Sequence, residues 1–196
     1  DICSGALPVM VNMPVTGRLD ATTNNDYQLP PAATCFTGIG QSAVTAAGRD
    51  VVYTFTAPAS GDYSFHILST GGFGNPVVYL ATSCPSGLPP QTIATCIGAA
   101  NRNGFSIAAE EVMCQPLTIN QTVFVFVDDT SSSSTSTFRL EVTPCLREKE
   151  VNDLPQSANL LTCPVEGTIN PGGEADFFAF PPTSVNDRLF ALADGF

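Results

Sequence analysis

Tryptophan is absent from this chain of 196 residues, and histidine occurs once, as His66, as does lysine, as Lys149. Each scarcity closes a route. With a single imidazole, any Ser-His-Asp or Cys-His device has to be built around His66, and neither Gly-x-Ser-x-Gly nor His-Glu-x-x-His occurs. Arginine and lysine together number 7 against 18 acidic residues, for a net charge of −11. Such a surface repels phosphate backbones and anionic headgroups, so nucleic acid and bare membrane are not expected partners. No run of about 18 apolar residues marks a membrane span, and no basic-then-apolar leader opens the sequence. The lack of tryptophan also weakens a carbohydrate cleft, although Tyr27, Tyr53, Tyr63 and Tyr79 remain for stacking. A helical period is missing too.

What is present is alternation. Val51, Tyr53, Phe55 and Ala57 face one way and Val52, Thr54 and Thr56 the other. After Pro58-Ala59-Ser60-Gly61 the pattern resumes at Tyr63, Phe65 and Ile67, which predicts a hairpin with His66 turned from the core. Further strands are expected at 77–81, 92–97, 123–127 and at Phe138, Leu140 and Val142, with Arg139 and Glu141 on the solvent side. Residues 20–47 and 128–137 are loops by composition. Short strands separated by turn signals predict an all-β fold, an antiparallel β-sandwich of the jelly-roll or Ig-like kind.

Seven cysteines, at 3, 35, 84, 96, 114, 145 and 163, lack the close paired spacing of zinc sites. They predict disulfides, hence an oxidising compartment and an extracellular or cell-surface location. Cys84 with Cys96 would close an apparent hairpin, Cys3 with Cys35 would staple the N-terminus to the long loop, and Cys145 with Cys163 would lock a junction. That scheme leaves Cys114 as a buried thiol or bonded elsewhere, and sequence alone does not fix the connectivity. Asn120-Gln121-Thr122 is a glycosylation sequon. The pairs Glu110-Glu111 and Asp128-Asp129 are candidate carboxylates for glycoside hydrolysis, but adjacent side chains on a strand diverge. Gly71-Gly72-Phe73-Gly74 precedes no helical pattern and reads as a turn.

The apolar alternation breaks after Cys145 into Leu146-Arg147-Glu148-Lys149-Glu150-Val151-Asn152-Asp153, the only dense charge cluster. An internal repeat spans the break: Pro14-Val15-Thr16-Gly17-Arg18-Leu19 is echoed by Pro164-Val165-Glu166-Gly167-Thr168-Ile169, and each copy leads to an acidic-aromatic strand. The expected organisation is a module over 1–145, an acidic linker over 146–153, and over 154–196 the first strands of a second similar sandwich. The second copy would then need completion by further sequence or by neighbouring chains.

Glu150-Val151-Asn152-Asp153, Ala158, Gly167-Thr168-Ile169 and Asp176-Phe177-Phe178-Ala179-Phe180 resemble the opening of the bacterial pre-peptidase C-terminal domain family. Residues 1–145 resemble a divergent, disulfide-bearing relative, through Asp50-Val51-Val52-Tyr53-Thr54-Phe55 and the Phe138–Val142 strand. The resemblance implies a non-catalytic β-sandwich appended to secreted peptidases or surface proteins, similar to the collagen-binding domain of clostridial collagenases. It further implies a structural calcium site at Glu148, Glu150, Asn152, Asp153 and Asp176, with Glu174 beside it. Alternating carboxylates and an amide carbonyl are the hard oxygen donors calcium takes. The expected function is an extracellular binding or adhesion module, not an enzyme, whose partner is a protein or polysaccharide surface. The alternative is a structural repeat in which neighbouring copies assemble a filament or coat by strand addition.

Overall fold

The computed structural model describes residues 2–36, 41–101, 110–132, 135–147, 154–160, 165–166 and 177–179. Two compact units divide the chain, Asp1–Pro144 and Cys145–Phe196.

The first unit is a two-sheet β-sandwich. Its first sheet runs in the order β1 (Leu7–Val9), β4 (Val51–Thr56), β10 (Thr122–Asp129), β6 (Pro76–Ala81), β8 (Cys96–Ala100). The second places β5 (Gly61–Phe73) between β9 (Glu110–Leu117) and β11 (Thr135–Arg147), with β2 (Val15–Leu19) on the far side of β11. The N-terminal segment serves both sheets. It leaves β1, turns at Met10–Met13, where Asn12 takes φ 59° and donates its N–H to Val142 O at 2.8 Å, and enters the second sheet as β2. Between the sheets lie Leu19, Tyr53, Phe55, Phe65, Leu80, Val125, Phe138 and Leu140. Edge-to-face ring pairs Phe55–Phe65 at 5.3 Å and Tyr53–Phe138 at 6.3 Å bridge the gap. Gly17 is required where β2 crosses these rings, because a Cβ there would meet the Phe138 side chain.

Alternation correctly assigns Phe138, Leu140 and Val142 inward and Arg139 outward. It fails for the first sheet. Val52, assigned to solvent, is 3% exposed, and every residue of β6 is buried. The cause is a second core on the outer side of that sheet, made of Tyr27, Leu29, Val52, Val77, Tyr79, Ile93 and Phe126. Tyr79 stacks on Phe126 at 4.8 Å and Tyr27 meets the same ring edge-on at 5.1 Å. The covering chain is the 20–47 segment, expected as plain loop, together with the connection from β6 to β8. Within it β3 (Tyr27–Gln28) pairs in parallel with β7 (Gln91–Thr92). A two-residue ribbon has no independent stability, so burial and cross-links must hold it.

The cross-links differ from the expected scheme. Cys3 bonds Cys84 and Cys35 bonds Cys96, with Cα separations of 6.2 and 5.8 Å. The Cys84–Cys96 and Cys3–Cys35 pairs do not form, since both bonds run from a covering segment to the chain that leaves or re-enters the sheet. Phe36 bridges Ala99 beside Cys35, and Ala99 N–H donates to Cys35 O at 2.9 Å, which fixes that crossing. Cys114 and Cys145 are each disulfide-bonded, so of the two expectations for Cys114 the free thiol is not met, while Cys163 lies outside the described residues.

The predicted 51–57/63–67 hairpin is also corrected. β4 pairs with β1 and β10 in one sheet, whereas β5 pairs with β9 in the other. Ala57 keeps to the first sheet, donating to Gln121 O and accepting from Asn120 N–H, both at 2.9 Å. The turn after it therefore carries the chain across the sandwich. The strand expected at 92–97 is two short ones, β7 and β8, and β9 was not anticipated.

In the second unit a 3-10 turn, Pro155–Ser157, precedes β12 (Asn159–Leu160), which pairs in parallel with β14 (Phe178–Ala179), and β13 (Val165–Glu166) pairs with Leu146–Arg147.

Replacing Cys35 and Cys96 by serine should lower stability by about 2–4 kcal/mol, because a long loop is released in the unfolded chain. Equilibrium denaturant unfolding of the oxidised protein measures it, and unchanged stability would mean that the covering layer holds without the bond.

Candidate functional site

Strand register assembles a polar row on the outer face of the second sheet. His66 on β5 lies opposite Glu111 on β9, and its Nε2 is 3.4 Å from Glu141 Oε2 on β11. The same Glu141 oxygen receives Arg139 Nη2 at 2.9 Å. Thr16 and Arg18 on β2 lie opposite Arg139 and Thr137, and Thr70 Oγ1 donates to Thr137 Oγ1 at 2.9 Å. Beside them a shallow depression is lined by Arg18, Asp20, Gly71, Gly72, Thr135 and Thr137. Asp20 binds Arg18 Nε at 3.0 Å, and its carboxyl is lowered from the usual range first by the Thr22 hydroxyl. Thr16, Arg18, Leu68, Thr70, Thr135, Thr137 and Arg139 are exposed. Ion pairs this open add only about 0–1 kcal/mol each, so the row contributes little to the fold.

A second polar group lies at one end of the sandwich, and it is buried. Asp26, Asp50, Asp128 and Asp129 are each at most 6% exposed. Asp50 stands one residue before the Val51–Val127 pair and Asp128 one residue after it, so the two carboxylates flank the same strand crossing. Asp50 Oδ2 accepts from the N–H groups of Asp26 and Tyr27 at 2.7 and 2.9 Å. Asp128 accepts from the Tyr79 hydroxyl at 2.9 Å and from Asp129 N–H at 2.6 Å. Asp129 turns elsewhere, accepting from Ser131 N–H at 3.0 Å. Gly48 lets the chain into this corner, since a Cβ there would meet Asp129 O. Desolvation pushes the Asp50 carboxyl up to about 7, against the pull of its two backbone donors, and desolvation followed by the Asp50 charge holds Asp128 well above the carboxylate range.

Of the residues marked from sequence, Glu148, Glu150, Asn152, Asp153, Glu174 and Asp176 lie outside the described residues. Among the described residues no three His, Cys, Asp or Glu side chains converge as a metal group. Asn120 is exposed in the turn from β9 to β10, at φ 64°. Glu110 and Glu111 diverge as alternation requires, one buried and one half-buried. Asp128 and Asp129 likewise accept from different partners. Sequence reasoning missed both constellations. The signals were available, an aspartate opening the Val51 strand and another closing the Val127 strand, but only the pairing of β4 with β10 makes them neighbours.

The chain matches no protein-family model, and no curated protein matches it in sequence. Among solved structures it is similar to the pre-peptidase C-terminal domain of a collagenase from Bacillus anthracis, at 15% identity and a TM-score of 0.39, over 70% of this chain and 94% of that one. It is also similar to a GH26-CBM35 beta-(1,4)-mannanase of Podospora anserina, at 17% identity and a TM-score of 0.31, over 75% of this chain and 30% of that one.

The raised Asp50 and Asp128 carboxyls make stability depend on pH in a defined sense. Their folded-state affinity for protons exceeds that of the unfolded chain, so the protonated corner stabilises at acid pH, and for Asp50 that contribution is lost as pH rises from about 4 through about 7. In chelator-containing buffer, denaturant unfolding between about pH 5 and about pH 8 should show a loss that Asp50→Asn reduces by up to about 1.4 kcal/mol per pH unit. Equal pH slopes for the two proteins would refute the buried-proton account.

Proposed function

We propose that this chain is a non-catalytic extracellular binding module that presents the outer face of its second sheet to a protein or polysaccharide surface. One observation carries the reading: the two sheets are covered unequally. The first is sealed on its outer side by cross-linked chain. The second leaves Thr16, Arg18, Thr70, Thr137 and Arg139 exposed, with Glu141 and His66 half-buried beside them. Flat sheet faces with mixed charge and hydroxyl groups suit extended partners, which they meet through many polar contacts and bridging water. Disulfides agree with an oxidising location. The non-catalytic reading is supported by Cys114, whose sulfur is already oxidised. Structural calcium at Glu148, Glu150, Asn152, Asp153 and Asp176 belongs to the same proposal, as does glycosylation at Asn120.

Assembly by strand addition is less favoured by the strand edges. β9 carries a register shift opposite Tyr63/Phe65 and Pro116, and β1 is three residues long with Pro8 at its centre. Bulges, prolines and short length are the devices that block edge pairing.

Retention of the purified chain on fibrillar collagen, cellulose, chitin and mannan tests the proposal. Wild type should be retained on at least one. The double variant His66→Ala/Arg139→Ala should lose about tenfold in affinity, about 1.4 kcal/mol, with an unchanged melting temperature. Equal retention of the variant would move the binding surface elsewhere, and concentration-dependent polymers without retention would favour the filament.

A further inference from the structure

In a chain of net charge −11, the arginines whose side chains the structure describes gather at one place. Arg18 lines the shallow depression beside β2, Arg49 lies near enough for its charge to act on Asp20 in the same wall, and Arg139 is the diagonal neighbour of Arg18 across the β2–β11 pairing. The depression encloses about 270 Å³, room for one ring or one charged group. Its floor is bare backbone: Gly71 and Gly72 contribute no side chain, and a Cβ on Gly71 would come within 3.2 Å of Thr137 Oγ1. The Arg18 guanidinium is held but not filled. Its Nε donates to Asp20 Oδ2 at 3.0 Å, and Asp20 is itself fixed through Oδ1, which accepts from Thr22 N–H at 2.8 Å and from Thr22 Oγ1 at 2.6 Å. Among the described residues neither Nη of Arg18 has a partner, and Arg139 commits only Nη2, to Glu141.

We infer that this depression binds a carboxylate of an acidic polysaccharide, a polymer of uronate-type sugars, with the Nη edge of Arg18 as the fork and Arg139 meeting a second charge along the chain. The inference rests on the binding face proposed above and names the class of its partner. A guanidinium presents parallel N–H groups that match the two oxygens of a planar carboxylate. Diagonal positions on paired strands stand about 7–8 Å apart, so the two arginines can serve successive charges of one polymer. The exposed hydroxyls of Thr16, Thr70 and Thr135 lie on the same face for sugar hydroxyls. No aromatic ring lines the depression, so a neutral sugar has nothing to stack on and charge must supply the hold. A protein partner would call for aromatic or apolar anchors, and among the described residues of β2, β5 and β11 Leu68 is the only exposed large apolar side chain. The negative charge of the rest of the chain acts weakly here, since charges beyond about 8 Å are screened at physiological salt.

Affinity electrophoresis of the whole chain through gels containing polygalacturonate, in chelator so that no calcium bridges the two, tests the inference. Wild type should be retarded by polygalacturonate and not by its fully methyl-esterified form. Arg18→Ala should weaken the interaction at least tenfold, and Arg18→Lys should fail to restore it, because an ammonium keeps the charge without the fork. Gly71→Ala, which fills the floor, should weaken it as well. Melting temperatures of the variants should match wild type; should Arg18→Ala be destabilised, Gly71→Ala decides, and unchanged retardation overturns the inference. Equal retardation by dextran sulfate or poly-glutamate overturns it too, since the face would then be a general anion patch or a peptide site. No retardation by polygalacturonate, with retention on a neutral polymer that His66→Ala/Arg139→Ala abolishes, refutes the carboxylate pocket and leaves the binding face standing. Retardation that survives both Arg18→Ala and His66→Ala/Arg139→Ala refutes both.

Discussion

The first sheet is apolar on both faces, and most of this structure follows from having to bury it twice. One face is covered by the second sheet in the ordinary way. The other is covered by chain with almost no regular structure of its own, namely β3, β7 and the segments around them. Such a layer gains burial of Tyr27, Leu29 and Ile93, all at most 2% exposed, but pays the ordering entropy of long connections. Phe126 is the point where the gain concentrates, since both tyrosine rings meet it. The two disulfides then restrict the unfolded chain at the places where covering segments join the sheet.

Sealing that face also forces a choice on the polar groups at its rim. Asp50 and Asp128 sit where β4 begins and β10 ends, positions at which a strand in an uncovered sheet would meet water. Under the cover Asp50 meets the N–H groups of Asp26 and Tyr27, and Asp128 meets Tyr79 and the N–H of Asp129. A buried carboxylate next to another has two remedies, a proton or a cation. Tyr79 and Asp129 N–H occupy both oxygens of Asp128, whereas Asp50 keeps one oxygen unsatisfied.

How much of this was legible in the sequence differs by feature. Strand positions and the sandwich class follow from alternation and turn residues, and Arg139 and Glu141 were correctly set outward. The double burial was less visible, although Val77-Val78-Tyr79-Leu80-Ala81 has no polar residue at all. Such a run marks a strand covered on both sides. Which strands pair was not legible: the turn after Ala57 has hairpin residues, but long-range pairing of β4 with β10 and of β5 with β9 overrides it. The disulfide partners were hidden for the same reason, as cysteines close in sequence lie on segments that separate in space. His66, Glu111 and Glu141 were visible singly, never as a row, because register is a property of the sheet.

Unequal cover also gives the two faces different freedom to change. A substitution on the sealed side must satisfy packed rings, a disulfide or a buried carboxylate. At Arg18, Thr70, Thr137 or Arg139 it alters only exposed contacts whose energetic weight is small. A surface of that kind tolerates variation in charge and hydroxyl pattern without loss of the fold, which is what selection for a particular partner requires. The cross-linked cover therefore makes variation on the open face separable from stability, and the loop layer is the element that permits it.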